Sequence, residues 1–124
     1  MGFLNNIFNK NSEENTSTFW KNINSVEDLN NAIAESKTKK VIIFKHSTRC
    51  HISKMVLSRF EKDAENFEGD AEFYFLDLIA HRDVSNIIAE NLDVTHQSPQ
   101  LLILENGVVV KHASHNDASF NLVE

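Results

Sequence analysis

A single cysteine, a single proline and three glycines stand among 124 residues, and each scarcity closes off a class of function. One cysteine permits no disulfide within the chain and no C-x-x-C pair for dithiol chemistry or zinc. So few glycines make no phosphate-cradling loop, and neither a Gly-x-Ser-x-Gly elbow nor a paired-carboxylate motif is present. No apolar run approaches the roughly 18 residues that span a bilayer. Positive charge is scattered and in the minority, with 12 Lys and Arg against 18 Asp and Glu and a net charge of -6. Without a basic block, the sequence predicts no nucleic-acid partner and no membrane partner. The first residues lack the basic and apolar regions of a secretory signal, so the expected compartment is a reducing cytoplasm. What is there, 41% hydrophobic and 24% charged residues, suits one soluble globular domain.

Residues 1–17 are rich in Asn, Ser, Glu and Thr and read as a flexible N-terminal arm. Phe3, Leu4, Ile7 and Phe8 make at most one amphipathic turn there. The domain is predicted over 18–124. It begins with a short strand at 19–23 and a helix capped by Ser25, with Glu27 and Asp28 in its first turn and Val26, Leu29, Ala32 and Ile33 facing inward. A polar turn at 36–40 leads to four consecutive β-branched or aromatic residues at 41–44, a strand buried on both faces, which the polar run 45–49 should end. Helical spacing follows over 51–67, with Ile52, Met55, Val56, Phe60 and Phe67 as its inner residues. An aromatic-rich strand at 72–78 completes a right-handed βαβ unit. Asp83 is placed to cap a third helix that buries Val84, Ile87, Ile88 and Leu92. Asn106-Gly107 between the apolar runs 101–104 and 108–110 is a strong hairpin signal, because both residues tolerate positive φ. Asn116 or Asp117 should then cap a short closing helix that turns Phe120 and Val123 inward.

The resulting order βαβαβαββα, with a cysteine where the buried strand meets a helix and Ser98-Pro99 before the hairpin, resembles the thioredoxin fold. That fold is α/β, a central mixed β-sheet flanked by helices. At residue level, Phe44-Lys45-His46-Ser47, Cys50, Ile52 and Ser53, together with Val94, His96 and Ser98-Pro99-Gln100, resemble the YtxJ family of monothiol bacilliredoxins over about residues 19–124. The resemblance implies thiol–disulfide exchange with bacillithiol, a low-molecular-weight thiol of some Gram-positive bacteria, as co-substrate and with no bound cofactor. The implied partners are bacillithiolated proteins, bacillithiol itself and a partner redoxin that regenerates the thiol. His51 departs from the proline that the family usually carries after the cysteine, a change that bears on reactivity rather than on fold.

A cysteine at a helix start meets unpaired N–H groups and the positive end of the helix dipole, both of which favour thiolate, the attacking species in disulfide exchange. Cys50 is therefore the expected nucleophile. Arg49 and His51 adjoin it, and Lys45 and His46 are near enough in the chain to add positive charge. Ser53 completes a C-x-x-S spacing, where its hydroxyl is a candidate partner of the thiolate but cannot resolve a mixed disulfide, so one protein thiol must work with an external one. By the resemblance, a cis Ser98-Pro99 peptide lies against Cys50, the Ser98 backbone pairs with an extended substrate, and His96 fixes the loop. Cys50, His46 and His51 are metal-ligating types, yet His81, His112 and His115 are distant in sequence and no metal site is expected. Two functions follow. One is a monothiol oxidoreductase that removes bacillithiol from proteins through Cys50, and the other is a non-catalytic adaptor built on the same fold.

Overall fold

The apolar run at 41–44 is the centre of a longer strand in a computed structural model that describes residues 19–123. The predicted arm over 1–17 lies outside the described residues. The strands are β1 (Trp20–Asn22), β2 (Lys40–His46), β3 (Ala71–Asp77), β4 (Gln100–Glu105) and β5 (Val108–Ser114), and the helices are α1 (Val26–Glu35), α2 (His51–Ala64) and α3 (Arg82–Asn91). The sheet runs β1-β3-β2-β4-β5. β2 pairs parallel with β3 and antiparallel with β4, so it is central and its side chains are covered on both faces.

Side chains alternate across a strand, and that alternation sorts the core into two layers. Val41 and Ile43 join Leu102, Leu104 and Leu76 under α1 and α3, where Leu29, Ala32, Val84 and Ile88 close the layer. Ile42 and Phe44 face the other way with Leu101, Ile103 and Phe73, beneath Val56, Phe60 and Ala64 of α2. Trp20 stacks on Phe60 at 5.8 Å between ring centroids and closes that second layer at the sheet edge.

Local signals place several ends. Ser25 Oγ accepts the Asp28 N–H at 3.1 Å, the expected cap of α1. Asn106 and Gly107 have φ of 57° and 82°, the positive values a two-residue hairpin turn requires. Ser36 then pins that turn to the end of α1, its carbonyl accepting from Asn106 N–H at 2.7 Å and its hydroxyl from Gly107 N–H at 2.8 Å. The Ser98-Pro99 peptide is cis.

Four expectations need correction. Lys45 and His46 are not turn residues; pairing with β3 and β4 carries the strand through them, and both are buried. α2 ends at Ala64 rather than 67, and Ser53, Val56, Phe60 and Ala64 form its inner face while Ile52 and Met55 are exposed. The apolar spacing fitted two neighbouring stripes of the helix, and only contact with the sheet selects one. Past the helix, Phe67 still packs on the core, and a Cβ on Gly69 would run into its ring, so this position suits glycine. Asp83 does not cap α3. Asp77 Oδ1 instead accepts from the N–H groups of Ile79 and Ala80 in a turn that starts the helix earlier, at the N-cap His81. Finally, the closing helix is two 3-10 turns, His115–Asp117 and Phe120–Leu122. His115 with φ of 56° and Ala118 with ψ of 72° interrupt a helical path, yet Phe120 and Val123 are buried as their spacing predicts.

Candidate active site

Cys50 is the N-cap residue of α2, with extended φ and ψ of -109° and 118°. Its N–H donates to Ser47 O at 3.2 Å, and its carbonyl accepts from Lys54 N–H at 3.1 Å. His51, Ile52 and Ser53 therefore precede the first N–H that finds an acceptor within the helix, and their N–H groups gather around the cap position. The Cys50 thiol, half-buried, makes no capping bond and leaves the sulfur available. α1 and α3 each carry an acid in the first turn, whereas α2 carries none. Nothing acidic on α2 competes for the positive end of its dipole.

Ser53 is turned inward and fully buried. Its Oγ lies 2.8 Å from His46 Nδ1 and accepts the Ser47 N–H at 3.1 Å. The hydroxyl thus ties the end of β2 to the first turn of α2, on both sides of the loop that presents Cys50. It bonds His46 and Ser47 rather than sulfur, which corrects the expectation of a Ser53–thiolate contact.

Strand alternation sends Lys45 and His46 to opposite faces of the sheet, so the structure does not gather both at Cys50. His46 lies among Phe44, Phe75 and Ser53, and burial lowers its pKa, with Asp77 opposing and Lys54 adding to the effect. Burial thus disfavours the positive charge that its place in the chain suggested. Lys45 is fully buried, and its Nζ lies 2.9 Å from His96 Nδ1. Burial lowers the Lys45 pKa to about 8. The cations nearest Cys50 in the loop and the first turn of α2 are exposed: Arg49, whose N–H reaches Ser47 Oγ at 3.4 Å, and Lys54 one turn on; His51 is exposed beside them. His51 also lines a shallow surface depression of about 500 Å³ with Lys54, Met55, Ser58, Arg59 and Lys62.

The predicted loop residues lead into β4, the strand beside β2. Lys45 pairs with Gln100, so one further step along the same register brings Pro99 alongside His46. Pro99 is buried and its carbonyl accepts from His115 N–H at 2.9 Å. Ser98 Oγ is buried without a partner, and the Ser98 N–H and C=O take no part in backbone hydrogen bonds among the described residues. Three residues around this loop carry contacts that the sequence did not single out. Ser85 Oγ is 3.3 Å from His96 Nδ1, Gln100 Nε2 donates to Thr95 O at 3.0 Å, and Asp77 starts the turn into α3 and acts on His46. Ser85 follows Val84 on the inner side of α3, and a polar residue there is the one signal that could have flagged it. Among the described residues, no three His, Cys, Asp or Glu side chains gather closely enough to hold a metal ion, and no helix is long and apolar enough to cross a membrane.

Comparison with known proteins identifies the fold and the family. A solved structure described as a candidate oxidoreductase with a thioredoxin fold is 30% identical, covering 86% of this chain and 91% of its own, with a TM-score of 0.74. Malassezia sympodialis thioredoxin is 24% identical over 78% of this chain and 79% of its own, with a TM-score of 0.62. Fasciola hepatica thioredoxin, 18% identical over 79% and 88%, superposes with a TM-score of 0.63. The fold is therefore thioredoxin-like, as the element order and the cysteine position predicted. A sequence model of the family described as monothiol bacilliredoxin BrxC matches residues 21–122, and the chain belongs to that family.

Proposed function

We propose that this protein is a monothiol thiol–disulfide oxidoreductase that removes bacillithiol from S-bacillithiolated proteins through Cys50. The observation that carries the reading is an uncapped thiol at the N-cap of α2, in a chain with no second cysteine. The Cys50 thiolate attacks the bacillithiol sulfur of a protein–bacillithiol disulfide. That disulfide breaks, the substrate protein leaves as a thiolate that takes a proton from water, and a Cys50–bacillithiol disulfide forms. Ser53, a hydroxyl where dithiol enzymes have a second thiol, cannot resolve the adduct. An external thiol, either free bacillithiol or a partner redoxin, attacks the adduct at the bacillithiol sulfur and returns Cys50 as thiolate.

Each remaining candidate has a place in this reading. Arg49 and His51 flank the developing charge, and the open N–H groups of the first turn stabilise it. His46 and Ser53 act at one remove by fixing the loop that presents Cys50. Ser98 offers unpaired backbone groups to an extended substrate beside Pro99, in the manner of an added strand, and His96 lies two residues before it. Family membership and the cis Ser98-Pro99 peptide, alongside the end of the strand that leads to Cys50, support this arrangement. The compartment proposed is the reducing cytoplasm, where a single unpaired thiol is maintained.

Intact mass spectrometry of the reduced protein mixed with a bacillithiolated protein tests the proposal, alongside a glutathionylated substrate and the Cys50→Ser variant. The expected result is transfer of the bacillithiol mass to Cys50 with release of free substrate thiol, absent in Cys50→Ser and slower from the glutathionylated substrate. If neither adduct moves within minutes, the oxidoreductase reading is overturned and a thioredoxin-fold binding module remains.

A further inference from the structure

A lysine with its entire side chain buried, in a central strand, calls for an explanation beyond packing. Lys45 occupies a position where an apolar side chain of similar length would be cheaper, since an ammonium loses its hydration there. Its Nζ has one acceptor among the described residues, the neutral Nδ1 of His96 at 2.9 Å. At neutral pH Lys45 is mostly the ammonium, which has no lone pair, so Nδ1 must accept and the single ring proton resides on Nε2. Lowering of the His96 pKa, by burial first and then by Lys45 and Arg82, agrees with a neutral ring. Ser85 Oγ, on α3, approaches the same Nδ1 at 3.3 Å. Gln100, directly opposite Lys45 in the ladder, reaches back to Thr95 O at 3.0 Å, and its Oε1 is buried without a partner.

These contacts converge on one short segment. Residues 95–98 lie in the connection between α3 and β4, carry the unpaired Ser98 backbone groups, and belong to no helix or strand of their own. Side chains from β2, α3 and β4 grip the segment at His96 and Thr95. We propose that Lys45 is a positioning residue that acts through His96 to anchor the 95–98 segment against the end of β2, so that Ser98 is presented to the substrate chain. This proposal rests on the exchange reaction at Cys50 and adds to it how the substrate-facing loop is held. It also reassigns Lys45, whose side chain points to the α3 face rather than to the thiol.

The test uses Lys45→Met, His96→Gln and the double variant, with four readouts. Exchange with a bacillithiolated protein should fall about ten- to hundredfold in each single variant, because a misplaced docking segment costs that much. The double variant should be no worse than the worse single one, since both changes break the same link. Alkylation of Cys50 by iodoacetamide, which needs no docking segment, should be unchanged in rate and pH profile. Thermal stability of Lys45→Met should not fall. The nitrogen chemical shifts of the His96 ring should report an Nε2–H tautomer in the wild-type protein and a mixed population in Lys45→Met.

Additive losses, a shifted alkylation profile or unaffected exchange would each overturn the positioning role. The ring spectrum needs no turnover, so it separates two failures. A wild-type protein that shows the Nε2–H tautomer but exchanges nothing has the link without the function, which defeats the exchange reading and the positioning role with it. One that exchanges but shows no single tautomer defeats the Lys45–His96 link alone.

Discussion

Raising the pH from about 7.5 to about 9.5 should stabilise this protein through Lys45, and substituting that residue should remove the effect. Burial brings the Lys45 pKa from 10.5 to about 8, and that gap corresponds to about 3 kcal/mol of folding stability. A base with a lowered native pKa gives up its proton on folding. Between the two values the unfolded chain binds more protons than the native one, so stability rises with pH across this window. From about pH 7.5 to 9.5 the Lys45 contribution amounts to about 2 kcal/mol, the rest lying on either side.

Other groups oppose it at the alkaline end. Tyr74 is buried and its hydroxyl donates to Glu35 at 2.5 Å, which raises its pKa, and Glu72 raises those of Lys21 and Lys39. Stability tied to these groups is lost as pH climbs through their native values. A comparison with Lys45→Met cancels them. Urea unfolding followed by Trp20 fluorescence and circular dichroism, on both proteins at both pH values, gives the needed double difference. The wild-type protein should gain about 2 kcal/mol on Lys45→Met between the two conditions. Parallel pH profiles would refute the reasoning, since they would mean that the Lys45 amine keeps the same proton affinity folded and unfolded.

Three further outcomes follow from the site and its frame. Ser53→Ala leaves the Ser47 N–H and the buried His46 Nδ1 without their oxygen, and should cost about 1–3 kcal/mol in urea unfolding. His51→Pro should keep or raise stability, by up to about 1 kcal/mol, because proline suits the first helical position. Cys50 already has the extended backbone that a following proline demands, so a destabilised variant would show that the helix entry differs from the one described. Gly107→Ala places a side chain at φ of 82° and should cost about 1 kcal/mol or more, measured by thermal unfolding. Open space around Gly107, with the nearest atom a Lys37 carbon at 3.7 Å, attributes that loss to the backbone rather than to a clash.

Local chemistry made much of the fold legible. The Ser25 cap, the Asn106-Gly107 turn and the four apolar residues at 41–44 each depend on preferences that act within a few residues, and each appears where it was expected. Cys50 at a strand-to-helix junction is of the same kind, because a change from period two to helical spacing locates a junction without knowledge of its neighbours. Helix faces were less legible. Ile52 and Met55 lie on the same broad apolar stripe as Val56 and Phe60, and nothing within α2 says which edge of the stripe meets the sheet. Polar residues misled for a related reason: Lys45 and His46 read as a turn because a strand that buries a lysine needs partners from other elements.

The sequence by itself determined the class of chemistry: one thiol, no resolving partner, and a helix start to hold its charge. Local composition and spacing are enough for that, since they require no residue to meet a distant one. Only the tertiary structure decided what surrounds the thiol. Strand alternation parts Lys45 from His46, which come within one residue of each other in the chain, and parallel and antiparallel pairing of β2 brings Asp77 and Gln100 to its two sides. Ser53 turns to His46, and Lys45 reaches His96 across 51 positions, because leaving a polar group buried without a partner is costly and the partner can come from anywhere in the fold.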